Sequence, residues 1–399
     1  MKIHSPKLFL EINDSEYIFS VGDKDQKNNF KVIYRYNASL EGITKNCKVT
    51  DFEKTLNTIK KNIITIEQKF NLTFKEIILI LDNSDCTFLN LTGFKKLNGS
   101  QILKENITYI LNSLKSKIDL IENNKTILHI FNTKYLLDKK KIENLPIGLF
   151  GNFYSHELSF CLIDNNDFKN LNNVFNNCNL KIKKFFLKSF VEGSLTSKKN
   201  LNLGTFFQIK INENNSQIFY FENDSLKFEQ NFSFGTDLII KDISKITSLN
   251  IKLVQKILKN INLNKKALKD EVVEKELFEN ENFIKIKKKL ILDIAEARIL
   301  EFSEIMFSKN INFSYYRKKN LTIFLKIKNK SHLNIFKESY ELFFSQNKNL
   351  FVKFDENSST DEFISSVNQL VDFGWKKEAI PVTRAKKSLI AKLFDTLFN

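Results

Sequence analysis

Apolar residues recur at steps of three and four after Asp51, which is the spacing of one face of an α-helix. The residues with this spacing are Phe52, Leu56, Ile59, Ile63, Ile66 and Phe70. Asp51 stands where a helix N-cap is expected, and Glu53 adds a favourable negative charge to the first turn. The pattern therefore predicts a long helix with one buried face, packed against a sheet.

Compact apolar runs elsewhere in the chain predict strands. We expect hairpins from 7–12 with 17–21 and from 206–211 with 217–221, and further strands at 30–36, 76–81, 158–163, 321–327 and 350–354. Helical spacing of apolar residues predicts further helices at 102–120, 168–178, 251–258, 290–307, 333–344 and 361–373. Another helix is predicted to begin at residue 238. Residues 193–204 predict a polar linker, and the charged stretch 265–289 predicts an exposed helix or loop. The alternation of strands and helices is typical of an α/β protein.

A chain of 399 residues with 42% apolar residues can bury large cores and is expected to form two or more lobes. It has no run of 18 uninterrupted apolar residues, and its first residues lack the apolar core of a signal peptide, so we expect the protein to stay on the cytoplasmic side. Cys47, Cys86, Cys161 and Cys178 are too widely spaced for a metal knuckle and indicate reduced thiols. No metal site is predicted.

The formal net charge of +16 suggests nucleic acid as a partner, but the kind of basic residue argues against it. Only Arg35, Arg298, Arg317 and Arg384 among the 62 basic residues are arginine. Arginine is the residue suited to bidentate phosphate and guanine contacts, whereas a lysine excess is what an AT-rich coding bias produces. We therefore expect no nucleic-acid partner.

The stretch from Thr126 to Gly151 holds one of three prolines and two of ten glycines in the chain. The pattern predicts a strand followed by a turn. The characteristic residues of the stretch are Leu128, His129, Tyr135, Asp138, Ile142, Asn144, Pro146, Gly148, Leu149 and Gly151. Their order and spacing resemble a segment in the inserted SHS2 domain of the bacterial actin-like cell-division protein FtsA. The alternative is an ordinary turn in an α/β domain.

The resemblance to FtsA continues in the same order along nearly the whole chain. It implies an actin-like, two-lobed (ribonuclease-H-like) α/β fold with an inserted SHS2 domain and a C-terminal amphipathic helix. The implied divisions are 1–74 with 164–199 for the first lobe (subdomain 1A), 75–163 for the SHS2 insertion (subdomain 1C), 200–375 for the second lobe (subdomains 2A and 2B, with the last helix returning towards the first lobe), 376–383 for a linker and 384–399 for the amphipathic helix. Asn179 takes the place of the family's glycine after the helix at 168–178, because Asn tolerates the left-handed conformation.

The family binds ATP and magnesium through glycine loops that this chain lacks. Glu11 keeps a carboxylate in the first loop, but Asn13 stands where the family has glycine; the stretches 209–216 and 326–329 hold no glycine either. Because close approach of backbone amides to phosphate needs glycine, we expect no bound cofactor, no catalytic residues and no ATP turnover. Glu11 alone could hold a hydrated metal ion.

Two further segments carry partner predictions that the resemblance implies. Glu296 and Arg298 match the segment of subdomain 2B that borders the site for the FtsZ C-terminal tail; the alternative is that they form a salt bridge within a helix or between lobes. The SHS2 domain implies contacts with other division proteins, and self-association is compatible with the fold.

The stretch from Arg384 to Phe398 follows a linker with Pro381 and predicts an amphipathic helix. Its apolar face and its flanking lysines, the predicted membrane-binding residues, are Lys386, Lys387, Leu389, Ile390, Lys392, Leu393, Phe394, Leu397 and Phe398. Fifteen residues are too few to span a bilayer, so we expect the helix to lie in the interface. A core helix would show the same pattern, but the position beyond the last core helix favours the membrane.

These features predict an adaptor that resembles FtsA and holds FtsZ at the cytoplasmic face of the bacterial inner membrane, at the division site. The alternative within the fold is the actin-like protein of type IV pilus assembly. An active ATP-hydrolysing filament enzyme would need the missing glycine loops.

Overall fold

The computed structural model of the chain describes residues 6–13, 15–25, 29–43, 46–82, 84–200, 203–261, 271–278, 282–313, 321–345, 350–355 and 359–379. The chain divides into two compact units. The first unit comprises residues 1–204, 222–227 and 358–399, and the second comprises 205–221 and 228–357.

The first unit is built on a five-stranded sheet. Its strands are β1 (Lys7–Ile12), β2 (Glu16–Lys24), β3 (Phe30–Ser39), β4 (Glu76–Leu81) and β9 (Lys181–Leu187), in the order β3-β2-β1-β4-β9. Strands β1, β2 and β3 are antiparallel, whereas β4 and β9 run parallel to β1. Residues Ile77 to Leu81 are all buried, as expected of a parallel strand covered on both faces.

Helices α1 (Phe52–Phe70), α3 (Asn165–Asn177), α4 (Lys188–Lys199) and α9 (Thr360–Phe373) also belong to this unit. The predicted cap of α1 is confirmed, because the Asp51 carboxylate accepts a hydrogen bond from the Lys54 amide at 3.0 Å. The left-handed conformation predicted for Asn179 is also confirmed, with φ of 57°. Local sequence signals therefore set the ends of both helices.

A second, four-stranded sheet lies between β4 and α3 in the sequence. Its strands are β5 (Thr87–Lys96), β6 (Lys125–Leu137), β7 (Lys140–Ile142) and β8 (Phe153–Asp164), in the order β5-β8-β6-β7. Helix α2 (Lys104–Ile121) packs on it through Ile110, Leu114 and Ile118. The identity of this insertion as an SHS2 domain, and its predicted boundaries, stay predictions.

The turn after β6 explains part of the motif around Asp138. Asp138 and Lys139 both have positive φ, at 49° and 69°, and the Asp138 carboxylate accepts the Phe153 amide at 2.8 Å. A Cβ on Gly151 would lie 2.4 Å from Leu137 Cδ1. Aspartate and glycine are thus the residues that let the β6–β7 turn close against the start of β8.

The second unit repeats the strand order of the first. Its strands are β10 (Phe206–Ile211), β11 (Ser216–Glu222), β12 (Ser225–Phe232), β13 (Leu321–Ile327) and β14 (Leu350–Phe354), in the order β12-β11-β10-β13-β14. As in the first unit, an antiparallel pair leads into parallel strands. Helices α5 (Asp237–Thr247), α6 (Ile251–Asn260), α7 (Lys288–Ser303) and α8 (Lys330–Phe344) supply its other core residues. The α/β class predicted from the sequence is confirmed.

Two stretches differ from the sequence predictions. Residues 193–199 are not a polar linker but complete helix α4, in which Gly193, Ser194 and Ser197 are buried. Their small side chains permit close packing, although their polarity predicts exposure. In the stretch predicted as exposed, 265–289, Phe278 and Ile286 are buried, and the Lys288 ammonium lies 3.1 Å from the Glu271 carboxylate.

Residues 375–379, here called the docked segment, follow α9 and pack against strand β6 of the same unit. The Asn132 amide donates to the Lys377 carbonyl at 2.6 Å, and the Ala379 amide donates to the Ile130 carbonyl at 2.7 Å. The beginning of the predicted linker 376–383 is therefore held on strand β6. The predicted membrane helix, with Lys386, Lys387, Leu389, Ile390, Lys392, Leu393, Phe394, Leu397 and Phe398, lies outside the described residues.

The Glu378 carboxylate holds this segment in place, with only 2% of its side chain exposed. It lies 2.9 Å from His129 Nδ1 on β6 and 2.7 Å from Lys184 Nζ on β9. Burial raises the pKa of the Glu378 carboxyl, but the hydrogen bond and charge of His129 and the Lys184 ammonium outweigh this and hold the pKa below its ordinary value.

No helix among the described residues is long and apolar enough to cross a membrane.

We expect Glu378→Gln to release the docked segment, because it leaves the Lys184 ammonium buried without its carboxylate. Breaking one partner of a buried pair costs roughly 3–5 kcal/mol. Amide hydrogen exchange should become at least about tenfold faster at residues 375–379, since each 1.4 kcal/mol is a factor of ten. Glu76→Gln is the control, because Glu76 pairs with Lys183 on the exposed surface. Equal exchange in parent and variant would contradict the role of Glu378 in docking. Because the pKa of Glu378 is lowered in the folded protein, docking is strongest above the ordinary glutamate pKa and weakens as the pH falls.

Candidate functional site

Three charged side chains meet where the parallel strands of the first unit end. Glu11 lies near the end of β1, Asp82 directly follows β4, and Lys188 directly follows β9. Because the carboxyl ends of parallel strands share one edge of a sheet, these residues come together. The Lys188 ammonium lies 2.7 Å from Glu11 Oε1 and 2.7 Å from Asp82 Oδ2. We call these three residues the strand-end cluster.

The lysine stays charged in this position. Burial lowers the pKa of Lys188, but the carboxylates of Asp82, Glu11 and Glu192 outweigh burial and hold the pKa well above its ordinary value. The ammonium therefore supplies next to Glu11 the positive charge that a metal ion would supply. With Lys188 bound to both carboxylates, this arrangement does not fit a magnesium site.

The resemblance to FtsA implies a second phosphate-binding place at the hairpin between β10 and β11. Its turn is closed by a 2.9 Å hydrogen bond from the Asn212 amide to the Asn215 carbonyl. The Asn212 and Glu213 carbonyls accept the amides of Thr236 and Asp237 at the start of α5. A Cβ on Gly235 would lie 2.3 Å from the Asn212 carbonyl oxygen, so this glycine packs α5 against the turn. The turn is a closed polar structure with side chains at each position.

The third place, after β13, is also committed to internal contacts. The Asn329 side chain caps helix α8 by accepting the amides of Ser331 at 3.2 Å and His332 at 3.4 Å. A cavity of about 230 Å³ lies beside this cap and is lined in part by Gln255 and Lys259. Ligand pockets usually measure roughly 300–1,000 Å³, so this cavity is small for a nucleotide. Burial lowers the pKa of His332 to about 4, which leaves the ring neutral.

Taken one by one, these three places do not fit Mg-ATP bound in the manner of the family. At the strand-end cluster, the Lys188 ammonium takes the position of the cation. At the β10–β11 turn, each position carries a side chain. After β13, the Asn329 side chain already binds the amides at the start of α8. The expectation that no cofactor binds stays a prediction.

The predicted partner residues Glu296 and Arg298 both lie on helix α7. Glu296 Oε1 accepts a hydrogen bond from Ser339 Oγ at 2.8 Å. Arg298 Nε donates to Asp242 on α5 at 2.5 Å, and its guanidinium also pairs with Glu301 one turn along α7. The salt bridge that the sequence left as an alternative is thus present. These ion pairs leave 26% of the Arg298 side chain exposed. A partner contact at this surface stays a prediction.

Sequence reasoning found Glu11 but missed the residues that pair with it and those that hold the docked segment. A signal existed for Asp82 and Lys188, since each directly follows an apolar strand. Glu378 carried no local signal, because its partner His129 lies 249 positions away in the sequence.

The fold and these sites can now be compared with known proteins. No model of a known protein family matches the chain. The cell division protein FtsA of Buchnera aphidicola subsp. Baizongia pistaciae is 23% identical over 260 residues, which cover 64% of this chain and 61% of that protein. The chain thus matches about three fifths of the length of this curated relative.

Among solved structures, a chain of the PilM-PilN type IV pilus biogenesis complex superposes with a TM-score of 0.53 at 8% identity, covering 92% of this chain and 98% of that one. MreB 5 of Spiroplasma citri bound to AMPPNP superposes with a TM-score of 0.41 at 10% sequence identity. That superposition covers 92% of this chain and 95% of the MreB 5 chain. The fold assignment rests on the first of these.

The repeated strand order and the PilM likeness define a protein of the actin-like fold. Within that class the chain is FtsA-like in sequence. The predicted resemblance to FtsA and the predicted actin-like α/β fold are confirmed, whereas the SHS2 insertion and the C-terminal amphipathic helix stay predictions.

We expect Lys188→Ala to create a site for a divalent cation, because it leaves the Glu11 and Asp82 carboxylates facing each other without a counter-charge. Millimolar MgCl₂ should raise the melting temperature of the variant, since a ligand that binds only the folded state stabilises it, and should leave the parent unchanged. Lys183→Ala is the control, because Lys183 pairs with one exposed carboxylate. A melting temperature of Lys188→Ala that MgCl₂ does not change would contradict this interpretation of the cluster.

Proposed function

We propose that the chain is a cell-division adaptor that holds FtsZ at the cytoplasmic face of the inner membrane and helps to assemble the division machinery. The observation that carries this proposal is the sequence similarity to FtsA on an actin-like fold. The adaptor works without ATP turnover. The strand-end cluster supports this part of the proposal, because a lysine that neutralises both carboxylates removes the need for a metal ion there.

Membrane attachment is assigned to the C-terminal segment from Arg384 to Phe398. If half the area of its six large apolar side chains enters the interface, the gain is on the order of 5–9 kcal/mol before the cost of ordering the helix. Each well-placed lysine adds roughly 1 kcal/mol at an anionic surface. Apolar burial therefore dominates, and the lysines adjust the preference for anionic lipid.

The contact with the FtsZ tail is assigned to the surface around Glu296 and Arg298. Arg298 is held between Asp242 and Glu301, so its guanidinium is already oriented. Part of it remains exposed and can donate hydrogen bonds to a further carboxylate from an acidic tail peptide. Other division proteins would meet the four-stranded sheet of the first unit.

A second candidate is a cytoplasmic component of type IV pilus assembly, which the PilM-PilN likeness favours. The C-terminal amphipathic segment and the sequence similarity to FtsA favour the division role instead. The two functions place the protein at different positions in the cell.

A fluorescent fusion imaged in dividing cells tests this choice. The adaptor predicts a ring at mid-cell that assembles with the FtsZ ring. A focus at the cell pole would support the pilus role, and a signal on the nucleoid would support nucleic-acid binding.

We expect Leu393→Asp with Phe394→Asp to detach the protein from anionic liposomes, because two charges replace the centre of the apolar face. The matched variant Lys386→Gln with Lys387→Gln should weaken sedimentation far less, since it leaves the apolar face intact. If both double variants sediment with vesicles as the parent does, the C-terminal segment is not the anchor.

A further inference from the structure

A pocket of about 620 Å³ opens beside the docked segment, and all of its lining residues belong to the first unit. Its walls come from strand β6, the end of α4, the turn between β11 and β12, and the docked segment itself. Four lysines line it: Lys141, Lys198, Lys376 and Lys377. This volume lies inside the range of roughly 300–1,000 Å³ that is usual for ligand sites.

Most of the positive charge in this pocket has no carboxylate partner. Among the described residues, Lys141, Lys198 and Lys377 have no carboxylate oxygen within 4.0 Å. Lys141 Nζ donates to the Asn223 side chain and Lys198 Nζ to the Gln369 side chain, each at 3.0 Å. Both acceptors are neutral, so they leave the lysine charges uncompensated.

The acidic groups in the pocket do not balance the lysines. Asp224 is already paired, since its carboxylate lies 2.6 Å from the Lys376 ammonium. Glu143 lines the rim, and it is the backbone carbonyl of Glu143 that faces Lys377 Nζ at 3.5 Å. Burial lowers the pKa of both Lys198 and Lys377, as expected for cations held partly away from water. An anion that entered the pocket would relieve this cost.

Two aromatic rings complete the site. The Lys376 and Lys198 ammoniums lie 5.5 Å and 5.9 Å from the Trp375 ring centroid, and that of Lys377 lies 5.5 Å from the Tyr135 ring centroid. The Trp375 indole nitrogen donates to the Asp224 carbonyl at 2.8 Å. Tryptophan and tyrosine beside lysines are the residues found at membrane–water interfaces.

The position of the pocket in the chain indicates its ligand. Glu378 fixes the docked segment, and only four residues lie between Ala379 and Arg384, where the predicted membrane helix begins. The five steps along the chain from Ala379 to Arg384 span at most about 18 Å when fully extended. A helix that lies in the membrane surface would therefore hold this pocket near the lipid head groups.

We propose that this pocket binds the phosphodiester head group of an anionic phospholipid, as a second membrane contact beside the C-terminal segment. The proposal rests on the membrane attachment proposed above. The three unpaired lysines surround the phosphate, and the aromatic rings pack against the glycerol and upper acyl region. The two contacts together give the protein a fixed orientation on the membrane, which a flexible tail alone does not.

Trp375 is the only tryptophan of the chain and reports directly on the pocket. The ligand is monomeric dihexanoylphosphatidylglycerol, added to the full chain carrying Leu393→Asp and Phe394→Asp so that the C-terminal segment does not contribute. We expect a saturable change in Trp375 fluorescence. Adding Lys141→Gln, Lys198→Gln and Lys377→Gln should weaken the affinity at least about tenfold.

The control carries Lys60→Gln, Lys61→Gln and Lys117→Gln, three exposed lysines on α1 and α2 with the same change in charge. It should bind the lipid as the parent does, which separates the pocket from net charge. Unchanged hydrogen exchange at residues 375–379 in the pocket variant shows that the docked segment is still in place. Equal weakening in both triple variants would overturn the proposal.

Three further ligands identify the anion. Dihexanoylphosphatidylcholine, inorganic phosphate and a polyglutamate peptide should each bind at least about tenfold more weakly than the phosphatidylglycerol. A response as strong to phosphate alone would assign the pocket to a free anion, and a tighter response to the peptide would assign it to an acidic protein; either result overturns the lipid assignment. Because the C-terminal segment is disabled in this assay, a failure here is distinct from a failure of that segment to bind vesicles.

Discussion

The buried carboxylate of Glu378 joins three parts of the first unit. It belongs to the docked segment, and its two partners lie on different sheets, His129 on β6 and Lys184 on β9. A carboxylate that is 98% hidden from water is stable only when opposite charges and hydrogen bonds surround it, so all three groups must be present together. The small sheet, the main sheet and the end of the described chain are thereby fixed to one another.

The strand-end cluster brings two carboxylates and one ammonium to the same edge of the main sheet of the first unit. Parallel strands deliver Glu11 and Asp82 to one edge of the sheet, and two facing carboxylates need a cation. Lys188, at the first position of α4, supplies that cation from within the chain. Both carboxylates of this edge are thus neutralised by an ion pair within the chain.

Local signals allowed much of the fold to be predicted from the sequence. Asp51 and the apolar stripe after it define α1, and Asn179 ends α3 because its side chain tolerates positive φ. Helix α4 was missed at 193–199, since a face of Gly193, Ser194 and Ser197 buries small polar residues and has no apolar periodicity. The docked segment was missed for a different reason: Lys184 and Glu378 lie 194 positions apart, and only the tertiary fold brings them together.

Recruitment of FtsZ to vesicles tests the central claim most directly. Anionic liposomes, FtsZ with GTP and this chain would be sedimented together with and without ATP, and FtsZ in the pellet would be measured. The account predicts that FtsZ sediments with vesicles only when the chain is present, to the same extent with or without ATP. Arg298→Gln should reduce this recruitment, whereas Arg35→Gln, a change in the first unit, should not. FtsZ that remains in the supernatant, or that is recruited only when ATP is added, would contradict the account.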